Sequence, residues 1–211
     1  FRNATQYSAL FLDSNGNPLV NSAVKFNING VFYTRNTNEN GAARLNINLN
    51  SGTYILTAYN PINNEAKASN VTVLSTINGS DITKYYKNGT QYSAVVVYSN
   101  GTPIVNKTVK LNINGVFYNR VTDENGTVRL NINLDPATYI ITVYNPSNGE
   151  ENSNKIVVLS KLIAEDMKTD YQAGKSYKVK VVNGQGKALA NQTVKINING
   201  VIYNRVTDEN G

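Results

Sequence analysis

At 211 residues, 40% of them hydrophobic, the chain has room for more than one core; it carries no run of about 18 apolar residues that would read as a membrane span, and no basic-then-apolar leader. Cysteine and histidine are both absent, which removes disulfide staples, thiolate nucleophiles, the usual soft metal ligands and the usual base near neutral pH, and with them the common catalytic triads and zinc sites. The formal net charge of +6 is spread thinly, with a local enrichment only at Lys175, Lys178 and Lys180, read as the solvent face of one strand, so no nucleic-acid footprint is expected.

From the N-terminus, the first recurring feature is Val31-Phe32-Tyr33 after the pair Asn29-Gly30. It returns as Val116-Phe117-Tyr118 and again as Val201-Ile202-Tyr203, 85 residues apart each time. Aligning residues 1–41 with 86–126 gives 26 identities, turns included, so a whole supersecondary unit recurs. This divides the chain into residues 1–75, a unit lacking its first strand; residues 76–160, a complete unit; and residues 161–211, the N-terminal part of a third. Gly211 stands in phase with Gly41 and Gly126, so the chain is expected to be a piece of a longer array.

Within the middle unit the period is two, as strands require. Val109, Leu111 and Ile113 alternate with Thr108, Lys110 and Asn112, and Val128, Leu130, Ile132 and Leu134 alternate with polar neighbours. Strands are expected near 80–86, 91–98, 106–113, 116–122, 127–134, 138–144 and 154–159. Asn114-Gly115 between two such runs signals a two-residue hairpin, and Asn100-Gly101-Thr102-Pro103, Asp123-Glu124-Asn125-Gly126 and Asp135-Pro136 signal further turns. Short strands at this spacing predict an all-β fold: tandem immunoglobulin-like antiparallel β-sandwich repeats of about seven strands each, nearly without helix.

Several residues invite a functional reading. Tyr54 and Tyr139 open the sixth strand just after a tight turn, where sandwiches place a structural tyrosine corner. Tyr7, Tyr92 and Tyr177, at one repeated position, read as core or half-buried pairs rather than sugar-stacking platforms. Asp123, Glu124 and Asn125 offer oxygens to a calcium ion, but two carboxylates are few, and the first copy has Asn38-Glu39-Asn40, so turn chemistry is the better reading and no metal or cofactor is expected. Eight Asn-x-Ser/Thr sequons occur. Asn106 and Asn191, read as one position on an exposed strand face, and Asn100 and Asn125, read in turns, are the candidate N-glycosylation sites.

The run Asn100-Gly101-Thr102-Pro103, Val109-Lys110, Thr122-Asp123-Glu124-Asn125-Gly126, Leu134 and Thr138-Tyr139 resembles the Ig-like repeats of bacterial and archaeal surface adhesins. The Asn-rich segments Asn112-Ile113-Asn114-Gly115-Val116-Phe117-Tyr118 and Leu130-Asn131-Ile132-Asn133-Leu134 resemble adhesin-like proteins of methanogenic archaea. The resemblance covers the whole chain and implies a cell-surface, extracellular array. The same pattern is more distantly similar to collagen-adhesin B-type repeats, some of which carry a Lys–Asn isopeptide bond formed with the help of a buried Glu four residues after the strand-starting Tyr. Here Val143 follows Tyr139 and Ala58 follows Tyr54 at that spacing, and Asn154 and Asn70 align with Ser69 and Lys155, so no cross-link is expected and the fold should rest on core burial alone.

The expected function is therefore mechanical and non-enzymatic: a stalk or filament that projects or links cells, each unit adding roughly 35–45 Å. The alternative is an adhesive module whose repeats themselves bind a partner. The expected partners are neighbouring repeats of the same chain, further copies joined through edge strands into fibres, and a cell-surface polysaccharide or protein, with neither nucleic acid nor membrane insertion. The linkers Leu74-Ser75-Thr76-Ile77 and Leu159-Ser160-Lys161-Leu162 contain no Gly or Pro, which predicts stiff joints.

Overall fold

The computed structural model describes Phe1 and residues 3–211, and every regular element among them is a strand. In the first segment β1 (Gln6–Leu10) pairs with β4 (Ala42–Asn46), and β2 (Ala23–Ile28), β3 (Val31–Asn36), β5 (Gly52–Tyr59) and β6 (Ala66–Val73) form an antiparallel sheet in the order β3-β2-β5-β6. Strand alternation turns Val24, Phe26, Ile28, Leu45 and Leu56 into one core, where Phe26 meets Tyr7 and Phe11 edge-on, each with centroids 5.9 Å apart.

The middle segment has eight strands: β7 (Ile77–Gly79), β8 (Ile82–Tyr85), β9 (Gln91–Val96), β10 (Thr108–Ile113), β11 (Val116–Val121), β12 (Thr127–Asn131), β13 (Ala137–Tyr144) and β14 (Glu151–Leu159). They make two sheets, β12-β9-β7 and β11-β10-β13-β14-β8, facing each other across Tyr92, Leu111, Leu130, Ile132, Ile141 and Ile156. Each such fully buried side chain contributes on the order of 1.5–3 kcal/mol. Between β10 and β11, Asn114 and Gly115 take φ of 52° and 82°, the left-handed pair that a two-residue hairpin matched to strand twist demands.

The expected strand at 80–86 is present as β8, but a further short strand that the sequence reading did not expect, β7, precedes it in the other sheet. β7 pairs antiparallel with β9, the chain crosses over at Ser80-Asp81, and β8 then pairs parallel with β14. The crossing has a physical cause. Asp81 accepts the Lys155 amide at 2.7 Å, tying the chain to β14, while Gly79 lies so close to Tyr92 Oη and Asn154 Oδ1 that a Cβ there would collide with both.

The fold does not rest on apolar burial alone. Lys84, on β8, is 3% exposed and points inward. Its Nζ donates to the carbonyls of Asn88 and Thr90 at 2.9 Å each and of Ile132 at 2.7 Å, so all three ammonium protons are placed and the two sheets are clasped together. Burial lowers the lysine's pKa from its ordinary value.

In the third segment β15 (Leu162–Ala164) pairs with β16 (Val179–Val181), and β17 (Thr193–Ile198) with β18 (Val201–Val206) in a hairpin. Of Lys175, Lys178 and Lys180, only Lys180 lies in a strand, so the three do not share one strand face as expected.

Candidate binding face and the polar joint

The pairing register writes a pattern on the solvent side of the larger sheets. Lys110 on β10 lies opposite Tyr144 on β13, and the neighbouring Asn112 lies opposite both Phe117 on β11 and Thr142 on β13. Phe117 is 57% exposed; its ring centroid is 6.3 Å from that of Tyr144, and Lys110 Nζ sits 4.8 and 4.6 Å from the two centroids. In the first segment Phe32 is 62% exposed and 6.0 Å from Tyr59, with Lys25 opposite Tyr59 and Asn27 opposite Phe32. Four residues before Tyr59 and Tyr144, on the same strands, stand the exposed Ile55 and Ile140. The third segment places Lys195, Asn197 and Ile202 at the matching register. Sequence reading passed over this face because it looked for tyrosines, whereas the exposed aromatic is the Phe after Asn-Gly-Val.

A second polar assembly sits where the first segment meets the middle one. Three residues separate β6 from β7, and in them Thr76 is 4% exposed. Glu150, from the β13–β14 turn and 3% exposed, accepts the Thr76 amide at 2.7 Å and its hydroxyl at 2.5 Å through Oε2, while Oε1 is buried with no hydrogen-bond partner among the described residues. Asn145 donates to Thr76 Oγ1 at 2.7 Å and to the Val97 carbonyl at 2.8 Å. Burial pushes the Glu150 carboxyl up, but hydrogen bonding from the Thr76 side chain and amide, with smaller contributions from Ser75 and from Ser51 of the first segment, more than offsets it and holds the group below its ordinary value.

The residues singled out from sequence fall elsewhere. Tyr54 Oη donates to the Asn50 carbonyl at 2.9 Å and Tyr139 Oη to the Asp135 carbonyl at 3.0 Å, each reaching four residues upstream. Tyr92 is fully buried, its hydroxyl on Asn154 Oδ1 at 2.7 Å and its pKa pushed up to about 12 by burial and by the charge of Asp81; Tyr7 is half-buried and Tyr177 exposed. Asn100, Asn106, Asn125 and Asn191 are all exposed. Asn106 and Asn191 are not on a strand face: both precede their strands, at φ of 51° and 57°. Asn100 Oδ1 accepts the amide of Thr102 at 3.1 Å and its hydroxyl at 2.8 Å.

Asp123 spends its oxygens on its own turn. Oδ1 accepts the amides of Asn125 and Thr127 at 3.0 and 2.9 Å, and Oδ2 pairs with Arg129 at 2.6 Å. That hydrogen bond to Arg129, followed by the Thr127 amide, lowers its pKa. In the first segment Asn38 Oδ1 accepts the amides of Asn40 and Ala42 at 3.0 and 2.9 Å, so the turn needs an acceptor oxygen rather than a charge.

The family model for the Macroglobulin domain MG4 matches residues 77–157, which is less than half of the chain. No curated protein matches the sequence. Among solved structures, the chain is similar to the fibronectin(III)-like modules of Clostridium thermocellum CbhA at 15% identity, over 74% of this chain and 87% of that one, with a TM-score of 0.31. It is similar to Yersinia pseudotuberculosis InvD at 15% identity, over 88% and 67%, with a TM-score of 0.33. A Ca2+-stabilized, ice-binding adhesin of an Antarctic bacterium matches at 18% identity over 99% of this chain and 59% of its own, with a TM-score of 0.29. At these scores the likenesses carry no argument about function, which has to come from the residues.

Proposed function

We propose that the chain is a non-enzymatic stretch of an extracellular surface array, in which sandwich units at residues 1–75, 76–160 and 161–211 follow one another as a stiff spacer. The observation that carries this reading is the joint. The chain passes from β6 to β7 in three residues; the last of these, Thr76, is buried under Glu150, and the one before it, Ser75, accepts a hydrogen bond through Oγ from Asn152 Nδ2 of the middle unit at 3.2 Å. A joint with a buried, hydrogen-bonded pivot resists bending far better than an exposed Gly or Pro tract. The second joint is as short, two residues between β14 and β15, and is bridged by Asn88 Nδ2 donating to the Gly184 carbonyl at 3.0 Å.

In this reading Tyr54 and Tyr139 act as tyrosine corners that fix the turns leading into β5 and β13, and the exposed sequon residues Asn100, Asn106, Asn125 and Asn191 are where glycans would be attached on an exported chain. The setting is that of the archaeal and bacterial adhesin-like arrays whose motifs this sequence resembles. Small-angle scattering of the chain, and of versions lengthened by the 85-residue unit, tests the proposal. A maximum dimension rising by roughly 35–45 Å per unit supports the spacer; a distribution that stays compact or broadens like a flexible tether rejects it.

A further inference from the structure

Strand β11 ends its sheet, β3 ends the four-stranded sheet of the first segment, and β18 pairs on one side only, with β17. The hairpin register decides what these edges offer. Thr122 donates its amide to the Lys107 carbonyl at 3.0 Å, so the bonded pairs between β11 and β10 fall on every second residue from there: Arg120, Tyr118 and Val116. The amides and carbonyls of Phe117, Asn119 and Val121 therefore point away from the sheet. By the same count those of Phe32, Thr34 and Asn36 do so on β3, and those of Ile202, Asn204 and Val206 on β18. Each of the three edges runs one to one with its neighbour and contains neither proline nor lysine, the usual protections against strand addition.

One contact recurs on all three. Arg120 Nη1 donates to the Asn119 carbonyl at 2.8 Å, Arg35 Nη1 to the Thr34 carbonyl at 2.7 Å, and Arg205 Nη1 to the Asn204 carbonyl at 2.8 Å, each time the middle one of the outward carbonyls. Each guanidinium also lies 5.8 Å from the ring centroid of the tyrosine two residues before it, Tyr118, Tyr33 or Tyr203, and so is laid along its own edge. An added strand would run about 4.8 Å away and place an amide nitrogen about 2.9 Å from that carbonyl. The guanidinium nitrogen stands in its place. We infer that the outer edges of β3, β11 and β18 are strand-pairing surfaces for a second copy of this chain, each held shut by its own arginine. The side chains of β11 select the second copy. In an antiparallel pairing of β11 with itself centred on Asn119, main-chain bonds form at Phe117, Asn119 and Val121. Phe117 of each copy then falls beside Val121 of the other, covering side chains that are 57% and 61% exposed. Arg120, the only charge on β11, falls opposite Tyr118, so no like charges meet. On β18, Ile202 and Val206 have the same symmetry about Asn204. The arginines thus keep units that stand side by side in an array from fusing along their edges.

The test is sedimentation velocity over a concentration series, with amide hydrogen exchange on the same samples. The natural chain is expected as a monomer, and the combined variant Arg35→Ala, Arg120→Ala and Arg205→Ala should associate at least ~10-fold more tightly, with the Asn119 amide gaining protection as it does so. All three arginines are exposed, so melts of the dilute variant should not move. Adding Thr34→Pro, Asn119→Pro and Asn204→Pro to that variant should return it to monomer, because a proline at these positions gives up only an outward amide. An arginine variant as monomeric as the natural chain overturns the inference. So does association that survives the prolines, which would be a general loss of solubility, and so does a natural chain that already associates as strongly as the variant. The scattering length per unit is read on the monomer, so this inference and the spacer reading fail independently.

Discussion

Thr76 sends both its amide and its hydroxyl onto one carboxylate oxygen of Glu150, at 2.7 and 2.5 Å across 74 residues of sequence. The relationship fastens the entry of the middle segment to the turn between its last two strands, at the pole that meets the first segment. Two donors converging on one oxygen favour the ionised acid, and the surrounding burial keeps water from replacing them.

The first prediction follows from that preference. Because the folded-state pKa of Glu150 lies below its ordinary 4.5, the stabilisation is fully present above that value and is lost as pH falls through the lower folded value. Thermal melts between neutral pH and about pH 3 should therefore show the natural chain losing stability more steeply below its ordinary pKa than Glu150→Gln does. At neutral pH the substitution should cost about 1 kcal/mol, because an amide keeps one acceptor but turns a donor toward the buried Oε1 position. Parallel curves for the two proteins would place the acid sensitivity in other carboxylates.

Lys84 yields the second. A buried charge is often replaceable by an apolar side chain of equal volume, provided that its partners are removed with it. Here the partners are the backbone carbonyls of Asn88, Thr90 and Ile132, and no substitution removes them. Lys84→Met should thus leave three acceptors without their donor, the buried Ile132 carbonyl among them, and destabilise the middle segment by about 2 kcal/mol, against an expected gain from shedding a desolvated ammonium. Urea denaturation measures it; an unchanged or raised midpoint would mean that the ammonium contributes no net stability.

These two sites mark where the sequence stopped being legible. Strand periods, the Asn114-Gly115 hairpin and the alternation of Val109, Leu111 and Ile113 follow from local rules, and all are where those rules put them. The crossing of the entry strand between sheets was not legible, since Ile82 and Lys84 alternate with Thr83 as one strand would, and only the tie of Asp81 to β14 reveals the switch. Lys84 itself reads as a solvent residue, because no local pattern announces three carbonyls drawn from a loop and an opposite sheet. The aromatic face is hidden for a related reason: only the register of β2 with β3 and of β10 with β11 turns Phe32 and Phe117 outward.

Gly79 gives the last prediction, and it bears on how the entry strand is packed. A Cβ there would fall within collision distance of both Tyr92 Oη and Asn154 Oδ1, the two ends of a partly buried hydrogen bond. Tyr92 is fully buried and cannot swing aside, so Gly79→Ala should cost roughly 1–3 kcal/mol through overpacking. Tyr92→Phe alone should cost about 1 kcal/mol, the net value of a hydrogen bond whose remaining partner can rearrange. Removing the hydroxyl also removes the nearest of the colliding atoms, so the double variant should be less destabilised than the two single costs added together. Denaturation midpoints of the four proteins close the cycle. Strict additivity would mean that the alanine is accommodated by movement of β7 away from β14 rather than by strain against Tyr92, and the crossing between sheets would then be softer than the packing around Gly79 requires.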